Sequence, residues 1–326
     1  MARLTGISLN TRGLKGDFKR CSVFNWLRKK QYDFCFLQET HSDILLEAKW
    51  KLQWGNEILY SHGIGNGAGV AILFSGTQDI QIISTQRDCQ GRILIATVRL
   101  DNKDKYTLVN IYAPTKNRVI NQVLFLETLV NLFETHQGDN IIIGGDWNTI
   151  LDNTKDKRGG VCEQYTKYQE ELKKCIYTFQ LSDIWRESNP GKMEFTWKQS
   201  KPHVETRLDY WLISQFLSPI VKTNIMPDKI KTDHKPIEII ITPQNYIKRG
   251  PGFWKFNTEL LHDDSYTNNI ITMIDQLKED YIDMRDKGLK WDLIKCKIRG
   301  FTIKYSKAKK RKQLERSSSL ELQQIE

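Results

Sequence analysis

The stretch Asn140-Ile141-Ile142-Ile143-Gly144-Gly145-Asp146-Trp147-Asn148 decides the fold expected of this chain. Its consecutive isoleucines show no polar alternation, which predicts a strand covered on both faces, as in α/β proteins. The two glycines allow tight turning and close backbone approach where the strand ends. An acid and an amide follow at once, and α/β proteins place their sites at such strand ends. The stretch therefore predicts a buried strand that delivers polar side chains to a site.

Composition restricts the class of protein. Of 326 residues, 39% are hydrophobic and 27% charged, which is ordinary for a globular protein with a large core. No apolar run approaches the roughly 20 residues that span a bilayer, and the first residues lack the apolar segment of a signal peptide. We therefore expect an intracellular protein without a membrane span. The net charge of +10 favours a polyanionic partner, although charge alone does not identify one.

Strand-like and helix-like patterns continue on both sides of the isoleucine strand. Strands are expected at residues 4–9, 32–40, 70–74, 80–84, 92–100, 106–112, 207–214 and 237–241, and helices at 17–30, 43–50, 118–136 and 165–179. Residues 101–104 are typical of a hairpin turn, and residues 149–160 of a long surface loop.

The character of the sequence changes after Thr242. Gly250-Pro251-Gly252 is typical of a linker, no β-rich run follows it, and helices are expected at 266–284 and 291–315. The segment 304–316 holds seven basic residues against one acid. This run is either the solvated face of a helix or a nucleic-acid contact. We expect a catalytic domain at 1–242 and a basic helical segment at 243–326.

Polar side chains suited to catalysis recur at the strand ends. They are Asn10; Glu39; Tyr112; Asp146 with Asn148; and Asp209, followed by the loop that carries Asp233 and His234. Such groups cost stability unless they are satisfied, so folding alone does not explain the whole set. Carboxylate and amide oxygens suit magnesium, which binds through carboxylates and substrate phosphate. Together with a histidine and a basic surface, the set indicates metal-assisted phosphodiester cleavage.

Five short motifs resemble the endonuclease/exonuclease/phosphatase superfamily. In chain order they are Gln38-Glu39-Thr40, Asn110-Ile111-Tyr112-Ala113-Pro114, Gly144-Gly145-Asp146-Trp147-Asn148, Arg207-Leu208-Asp209-Tyr210 and Thr232-Asp233-His234. The resemblance is greatest to the apurinic-endonuclease-like domain that opens the second open reading frame protein of LINE-type non-LTR retrotransposons. It implies a four-layer α/β sandwich of two packed, mixed and mostly antiparallel sheets flanked by helices. It also implies that residues 243–326 connect to a reverse transcriptase in a longer protein.

The resemblance implies roles for the metal and phosphate groups. Glu39 would be the principal ligand of Mg²⁺, with Mn²⁺ as the alternative ion, and Asn10 and Asp233 would lie close to the metal and the phosphate. Tyr112 and Asn148 would hold the phosphate. These assignments describe a metal-dependent phosphodiesterase.

The resemblance also implies the groups that move protons. Asp146, oriented by Asn148, would activate the attacking water or assist the leaving oxygen. His234, oriented by Asp209, would contact or protonate the phosphoryl oxygens, as in other Asp-His pairs. Which group is the base stays open.

The expected substrate is double-stranded DNA. Arg158, Thr196, Lys198 and Lys155 lie on loops beside the inferred site and are expected to contact it, whereas the basic extension is a candidate contact for element RNA. Nicking would leave a 3′-hydroxyl that primes reverse transcription, which implies action in the nucleus. We expect a magnesium-dependent nicking endonuclease of a mobile element.

Two positions depart from the family pattern. Arg12 stands where many repair enzymes have an acid, and Thr115 stands where an asparagine is frequent. Both departures make a cellular abasic-site repair enzyme less favoured than the element endonuclease. A phosphatase, or a catalytically decayed copy that only binds nucleic acid, would also fit the motifs, but the intact acids and histidine speak against decay.

Overall fold

The structure is a computed structural model that describes residues 3–64, 67–100, 104–115, 119–134, 140–160, 166–227, 230, 232–242 and 256–323. Residues 101–103 of the expected hairpin turn and the expected linker Gly250-Pro251-Gly252 lie outside these ranges. The chain divides into two compact units, Met1–Ile247 and Lys248–Glu326.

The first unit alternates strands and helices. Its strands are β1 (Leu4–Asn10), β2 (Phe34–Gln38), β3 (Ile58–Ser61), β4 (Val70–Phe74), β5 (Ile80–Arg87), β6 (Ile93–Leu100), β7 (Asp104–Tyr112), β8 (Asn140–Asp146), β9 (Lys157–Arg158), β10 (Leu181–Asp183), β11 (Trp197–Gln199), β12 (Val204–Thr206), β13 (Asp209–Ser214), β14 (Val221–Ile225) and β15 (Ile237–Ile241). Its helices are α1 (Asp17–Lys30), α2 (Glu47–Trp54), α3 (Val119–Glu134), α4 (Lys167–Thr178) and α5 (Ile184–Ser188), with 3₁₀ segments at Ile44–Leu46 and Gln215–Ile220.

Two six-stranded sheets form the centre of this unit. Sheet A has the order β14-β15-β1-β2-β4-β3, and sheet B has the order β10-β13-β8-β7-β6-β5. The pairs β1–β2 and β7–β8 are parallel, and the other pairs within these sheets are antiparallel. A small third sheet, sheet C, has the order β11-β12-β9.

Apolar side chains join the layers. Between the two large sheets, the rings of Phe36 and Trp211 lie 5.3 Å apart. On the outer face of sheet B, Leu129 of α3 and Leu172 of α4 are buried in a second cluster. On the outer face of sheet A, α1 and α2 contribute to a third cluster, which includes Trp50. The order helix, sheet, sheet, helix confirms the predicted four-layer α/β sandwich.

The glycines of β8 stand where the backbone is crowded. A Cβ atom on Gly144 would lie 2.2 Å from the ring of Trp211. Gly145 has φ +148°, and a Cβ atom there would lie 2.0 Å from the carbonyl oxygen of Ile111. The close approach predicted for the end of this strand is therefore present, and it brings β8 against β7.

Gly145→Ala is expected to lower the free energy of unfolding by about 3 kcal/mol or more, because it adds a backbone clash to an unfavourable φ. Gly191→Ala is the matched control, since a Cβ atom at Gly191 meets nothing within 4 Å. Urea unfolding followed by tryptophan fluorescence measures both variants. Equal unfolding midpoints for the two would contradict the crowding at Gly145.

Some segments differ from the prediction. The helix expected at 43–50 begins later, because the carboxylate of Asp43 accepts the N–H groups of Leu45 and Leu46 and caps a 3₁₀ turn first. The expectation of a surface loop throughout 149–160 was wrong, since Asp156 is fully buried and residues 157–158 form β9. Strands β3, β10, β11, β12 and β14 and the short helix α5 were not predicted either.

The second unit is helical in its described part, as expected. It contains a 3₁₀ segment at Thr258–His262, α6 (Asp264–Asp280) and α7 (Lys287–Gln323). Tyr266 is buried and its hydroxyl is hydrogen-bonded to that of Thr302 at 2.7 Å, which ties α6 to α7. The side chains of Lys307 and of residues 310–323, which carry most of the basic run, lie outside the described part. Among the described residues, no helix combines the length and the apolar character that a membrane crossing requires.

Candidate active site

The predicted polar side chains meet at one end of the two large sheets, where the central strands β1, β2, β7 and β8 finish and β13 begins. Parallel pairing of β1 with β2 places Asn10 opposite Gln38, and parallel pairing of β7 with β8 places Tyr112 opposite Asp146. Strand β13 runs antiparallel to β8, so its first residue, Asp209, also lies opposite Asp146. The strand directions therefore bring residues from distant parts of the chain to a single site.

Asn10 links the two sheets at this end. Its Nδ2 donates to Glu39 Oε1 and to Asp146 Oδ2, both at 2.9 Å, and its Oδ1 accepts the backbone N–H of Arg12 at 3.0 Å. Two acceptors on one side and a donor on the other determine the orientation of the amide. Asn10 thus holds two carboxylates in place through its nitrogen. Its position beside a metal ion stays a prediction.

Asp146 is the buried carboxylate at the centre of the site. Its side chain accepts hydrogen bonds at both oxygens, from Asn10 and from the backbone N–H of Asn148 at 2.9 Å. Burial raises the pKa of Asp146, and the charge of His234 opposes this effect. A carboxylate with a raised pKa is a better proton acceptor near neutral pH.

Asn148 has the left-handed conformation that asparagine tolerates, with φ 48°. Its Nδ2 donates to the carbonyl oxygen of Ala113 at 2.8 Å, which ties the loop after β8 to the end of β7. Its backbone, and not its amide group, orients Asp146. A phosphate contact by Asn148 stays a prediction.

His234 and Asp209 form a buried pair. His234 Nδ1 lies 2.8 Å from Asp209 Oδ2, whereas its Nε2 lies 3.9 Å from Asp146 Oδ2, beyond hydrogen-bond distance. Burial alone would lower the pKa of His234, but the charges of Asp209 and Asp146 outweigh it and raise that pKa. The raised pKa favours the protonated imidazole, in which Nδ1–H donates to Asp209 and Nε2–H is directed towards Asp146.

Thr196 holds the backbone of Asp209, the aspartate of this pair. Its hydroxyl oxygen accepts the backbone N–H groups of Leu208 and Asp209, both at 3.0 Å, and the side chain is only 1% exposed. The predicted DNA contact does not fit this placement, because the hydroxyl is engaged with the start of β13 inside the protein. Thr196 instead positions Asp209.

Tyr112 lies at the end of β7, with the guanidinium of Arg92 5.1 Å from the centre of its ring. Burial raises the pKa of Tyr112, and the negative charges of Glu39 and Asp146 raise it further. The phenol therefore stays protonated and can donate a hydrogen bond, as a phosphate-holding role requires.

The carboxylates at the rim of the site, more than the residues at its buried centre, suit a divalent metal ion. In the described part of the chain, Asp146, Asp209 and His234 offer ligand atoms within 4.8 Å of one another. Asp209 and His234 engage each other, so these three are better suited to proton transfer than to a full coordination shell. Half-buried Glu39 and Asp233 add carboxylate oxygens at the rim, and such hard donors suit Mg²⁺ or Mn²⁺. The ligand set Glu39, Asn10 and Asp233 stays a prediction.

Sheet C carries two of the residues predicted to contact DNA. Exposed Arg158 and Lys198 flank Glu205 across three adjacent strands, and Arg158 pairs with Glu205 at 3.2 Å. Lys155 is half exposed and lies 3.9 Å from Asp152. The side chains of Arg158 and Lys198 are accessible to a ligand, and their contact with DNA stays a prediction.

The sequence-based prediction gave no role to Arg207, which is a buried hub. Its guanidinium bonds to Asp156 at 2.8 and 3.0 Å and to Asp183 at 2.6 and 3.2 Å. These contacts anchor the chain two residues before Asp209. An arginine two residues before Asp209 was a usable signal, but its partners 51 and 24 residues away could not be identified from the sequence.

Gln38 and Asn110 also had no predicted role, and they join the two sheets below the site. Gln38 Nε2 donates to Asn110 Oδ1 at 2.7 Å and to Ser8 Oγ at 3.0 Å, and Asn110 Nδ2 donates to the carbonyl oxygens of Leu37 and Ala71. Asn110 interrupts the apolar run of β7 and Gln38 ends that of β2, and these polar positions are the signal that marks them. The bridge holds the strand ends in register.

This fold and this set of acids, amides and a histidine define a phosphoester-cleaving α/β sandwich. The chain matches the Endonuclease/Exonuclease/phosphatase family over residues 7–234 and belongs to it. The predicted enzyme class, a metal-dependent phosphodiesterase among the hydrolases, is thereby confirmed.

Comparison with known proteins connects the chain to transposons. It is 31% identical over 266 residues to the Transposon TX1 uncharacterized 149 kDa protein of Xenopus laevis, covering 81% of this chain and 20% of that protein. The chain thus spans about a fifth of the length of that relative.

Solved structures share the fold of the first unit. The AP endonuclease of Leishmania major has a TM-score of 0.64 at 17% identity, over 74% of this chain and 88% of that one. The endonuclease domain of TRAS1, a telomere-specific non-LTR retrotransposon, has a TM-score of 0.55 at 14% identity, over 75% of this chain and 100% of that one. The predicted resemblance to the LINE-type domain is confirmed.

Proposed function

We propose that this chain is a magnesium-dependent endonuclease that nicks duplex DNA and leaves a 3′-hydroxyl from which a mobile element primes reverse transcription. The observation that carries the proposal is the position of Asp146, bonded to Asn10 and 3.9 Å from a histidine that Asp209 orients. The similarity to a transposon protein and to a retrotransposon endonuclease domain supports the element context.

The chain's own residues supply the proton chemistry. Asp146 accepts a proton from the water that attacks phosphorus, the P–O3′ bond breaks, and the 3′ oxygen leaves and takes a proton from solvent. His234 donates its Nε2–H to a non-bridging phosphoryl oxygen, where negative charge grows in the transition state. Tyr112 donates to another phosphoryl oxygen. Glu39, with Asn10 and Asp233 close by, would hold a divalent cation, which would supply Lewis-acid stabilisation of that charge.

The remaining partners follow from this function. Arg158, Lys198 and Lys155 would contact the phosphates of the DNA beside the scissile bond. The lysine-rich run at 304–316 would contact element RNA, residues 243–326 would connect to a reverse transcriptase, and the protein would act in the nucleus.

Removal of the metal is expected to abolish nicking. Supercoiled plasmid should convert to open circles with Mg²⁺ or Mn²⁺ and stay intact with EDTA, because the phosphoryl charge is then left without its counter-ion. A DNA polymerase should extend the nick directly, which reports the 3′-hydroxyl. Equal nicking with EDTA would contradict the metal dependence. Strong preference for an abasic oligonucleotide over intact plasmid would favour a repair enzyme instead.

A further inference from the structure

Arg12 is a cation at the rim of the acidic site. It follows Asn10 by two residues. Its Nη1 lies 3.6 Å from Asp233 Oδ2, and its side chain is 67% exposed. The guanidinium therefore faces solvent beside the carboxylate of Asp233.

The backbone of Arg12 is held firmly against the site. The residue has φ 49°, its N–H donates to Asn10 Oδ1, and its carbonyl oxygen accepts from Lys19 Nζ at 3.0 Å. The next N–H group, of Gly13, donates to the carbonyl oxygen of Glu39 at 2.7 Å. The backbone that carries the Arg12 side chain is thus hydrogen-bonded, through Gly13, to the backbone of Glu39, the proposed metal ligand.

The ion pair with Asp233 does not account for this placement. A distance of 3.6 Å exceeds that of a hydrogen bond, and an exposed ion pair of this kind contributes little to stability. Asp233 Oδ2 has another donor, Trp197 Nε1, at 3.3 Å. The orientation of Asp233 therefore does not depend on Arg12 alone. The guanidinium, in contrast, presents a planar fork of N–H donors that matches two phosphate oxygens.

We propose that Arg12 binds a phosphate of the cleaved DNA strand beside the metal site. This inference rests on the proposed function and specifies how the site holds DNA. Because Arg12 carries its own positive charge, part of the affinity for DNA does not require the metal.

The test measures binding of a labelled duplex by fluorescence anisotropy in EDTA, over a range of KCl concentrations. Arg12→Gln is expected to weaken metal-free binding about tenfold and to reduce the slope of log K against log salt by about one. Arg12→Lys should keep most of the slope but lose affinity, because a lysine cannot form the bidentate contact. Both side chains suit an exposed position, and circular dichroism verifies the fold.

Lys51→Gln is the matched control, because it removes one charge from a surface ion pair, with Glu57, at 2.9 Å. Lys51 lies on α2, whose last residue, Trp54, donates a hydrogen bond to the carbonyl oxygen of Phe74. Phe74 pairs with Phe34 at the start of β2, whereas Glu39 follows the other end of that strand. Its removal should leave the slope unchanged. Unchanged affinity and slope in Arg12→Gln, with a parent protein that binds and nicks DNA, would overturn the inference alone. A parent that neither binds nor nicks would overturn the proposed function as well.

Discussion

Asp146→Ala is expected to reduce plasmid nicking by about 10³-fold to 10⁴-fold, the contribution of a positioned proton acceptor. The substitution removes the acceptor of two N–H groups, on Asn10 and Asn148, at a cost of about 1–3 kcal/mol for each buried group left unsatisfied. Asn10 keeps its bond to Glu39. The sandwich should therefore remain folded while the chemistry is lost.

The measurement compares initial nicking rates of the parent and the Asp146→Ala variant at saturating Mg²⁺. Urea unfolding of both proteins shows that the variant is folded. Asp104→Asn is the control, because Asp104 begins β7 and lies at the edge of sheet B opposite to Tyr112. This control should nick at the rate of the parent. A folded Asp146→Ala protein with more than about a tenth of the parental rate would exclude Asp146 as the proton acceptor.

His234→Ala and Asp209→Ala are each expected to reduce nicking by about 10²-fold to 10³-fold, and the double variant should be little worse than either single variant. The reason is the 2.8 Å contact between His234 Nδ1 and Asp209 Oδ2, through which the aspartate holds the tautomer and charge of the imidazole. Without the histidine, the aspartate has no further task in the reaction.

A double-mutant cycle on the nicking rate measures this coupling. His262→Ala, which removes an exposed histidine of the second unit, is the control and should leave the rate unchanged. If the losses at His234 and Asp209 multiply, the two residues act independently, and the role of Asp209 as an orienting group is wrong. The cycle also requires that each variant unfold at a urea concentration close to that of the parent.

The architecture and the meeting of the site residues could be predicted because both follow from local patterns. Apolar β-branched runs that end in polar residues mark strands with functional ends, and parallel pairing brings such ends together. For this reason Asp146, Asn10 and Glu39 were expected at one site before their distances were known. The roles of the individual groups depend on their chemistry, which a strand pattern does not specify.

Features that depend on long-range pairing could not be predicted in the same way. Asp156 stands in a polar segment typical of a surface loop, and it can be buried because Arg186 and Arg207, 30 and 51 residues later, neutralise it. The placement of Thr196 also depends on distant residues, since its hydroxyl accepts hydrogen bonds from backbone N–H groups 12 and 13 residues away. Strand β14 is an edge strand of mixed polarity, a pattern that does not stand out from a loop.

The strand order of sheet A has a consequence for folding during synthesis on the ribosome. Strand β1 emerges first, yet one of its two neighbours is β15, which completes only at Ile241. Until β15 is synthesised, β1 presents an open hydrogen-bonding side, and a nascent chain that ends before residue 234 also lacks His234. Closure of the sheet and arrival of the histidine are thus nearly one event. A chain truncated before β15 leaves β1 exposed to pairing with other chains, and it lacks a complete active site.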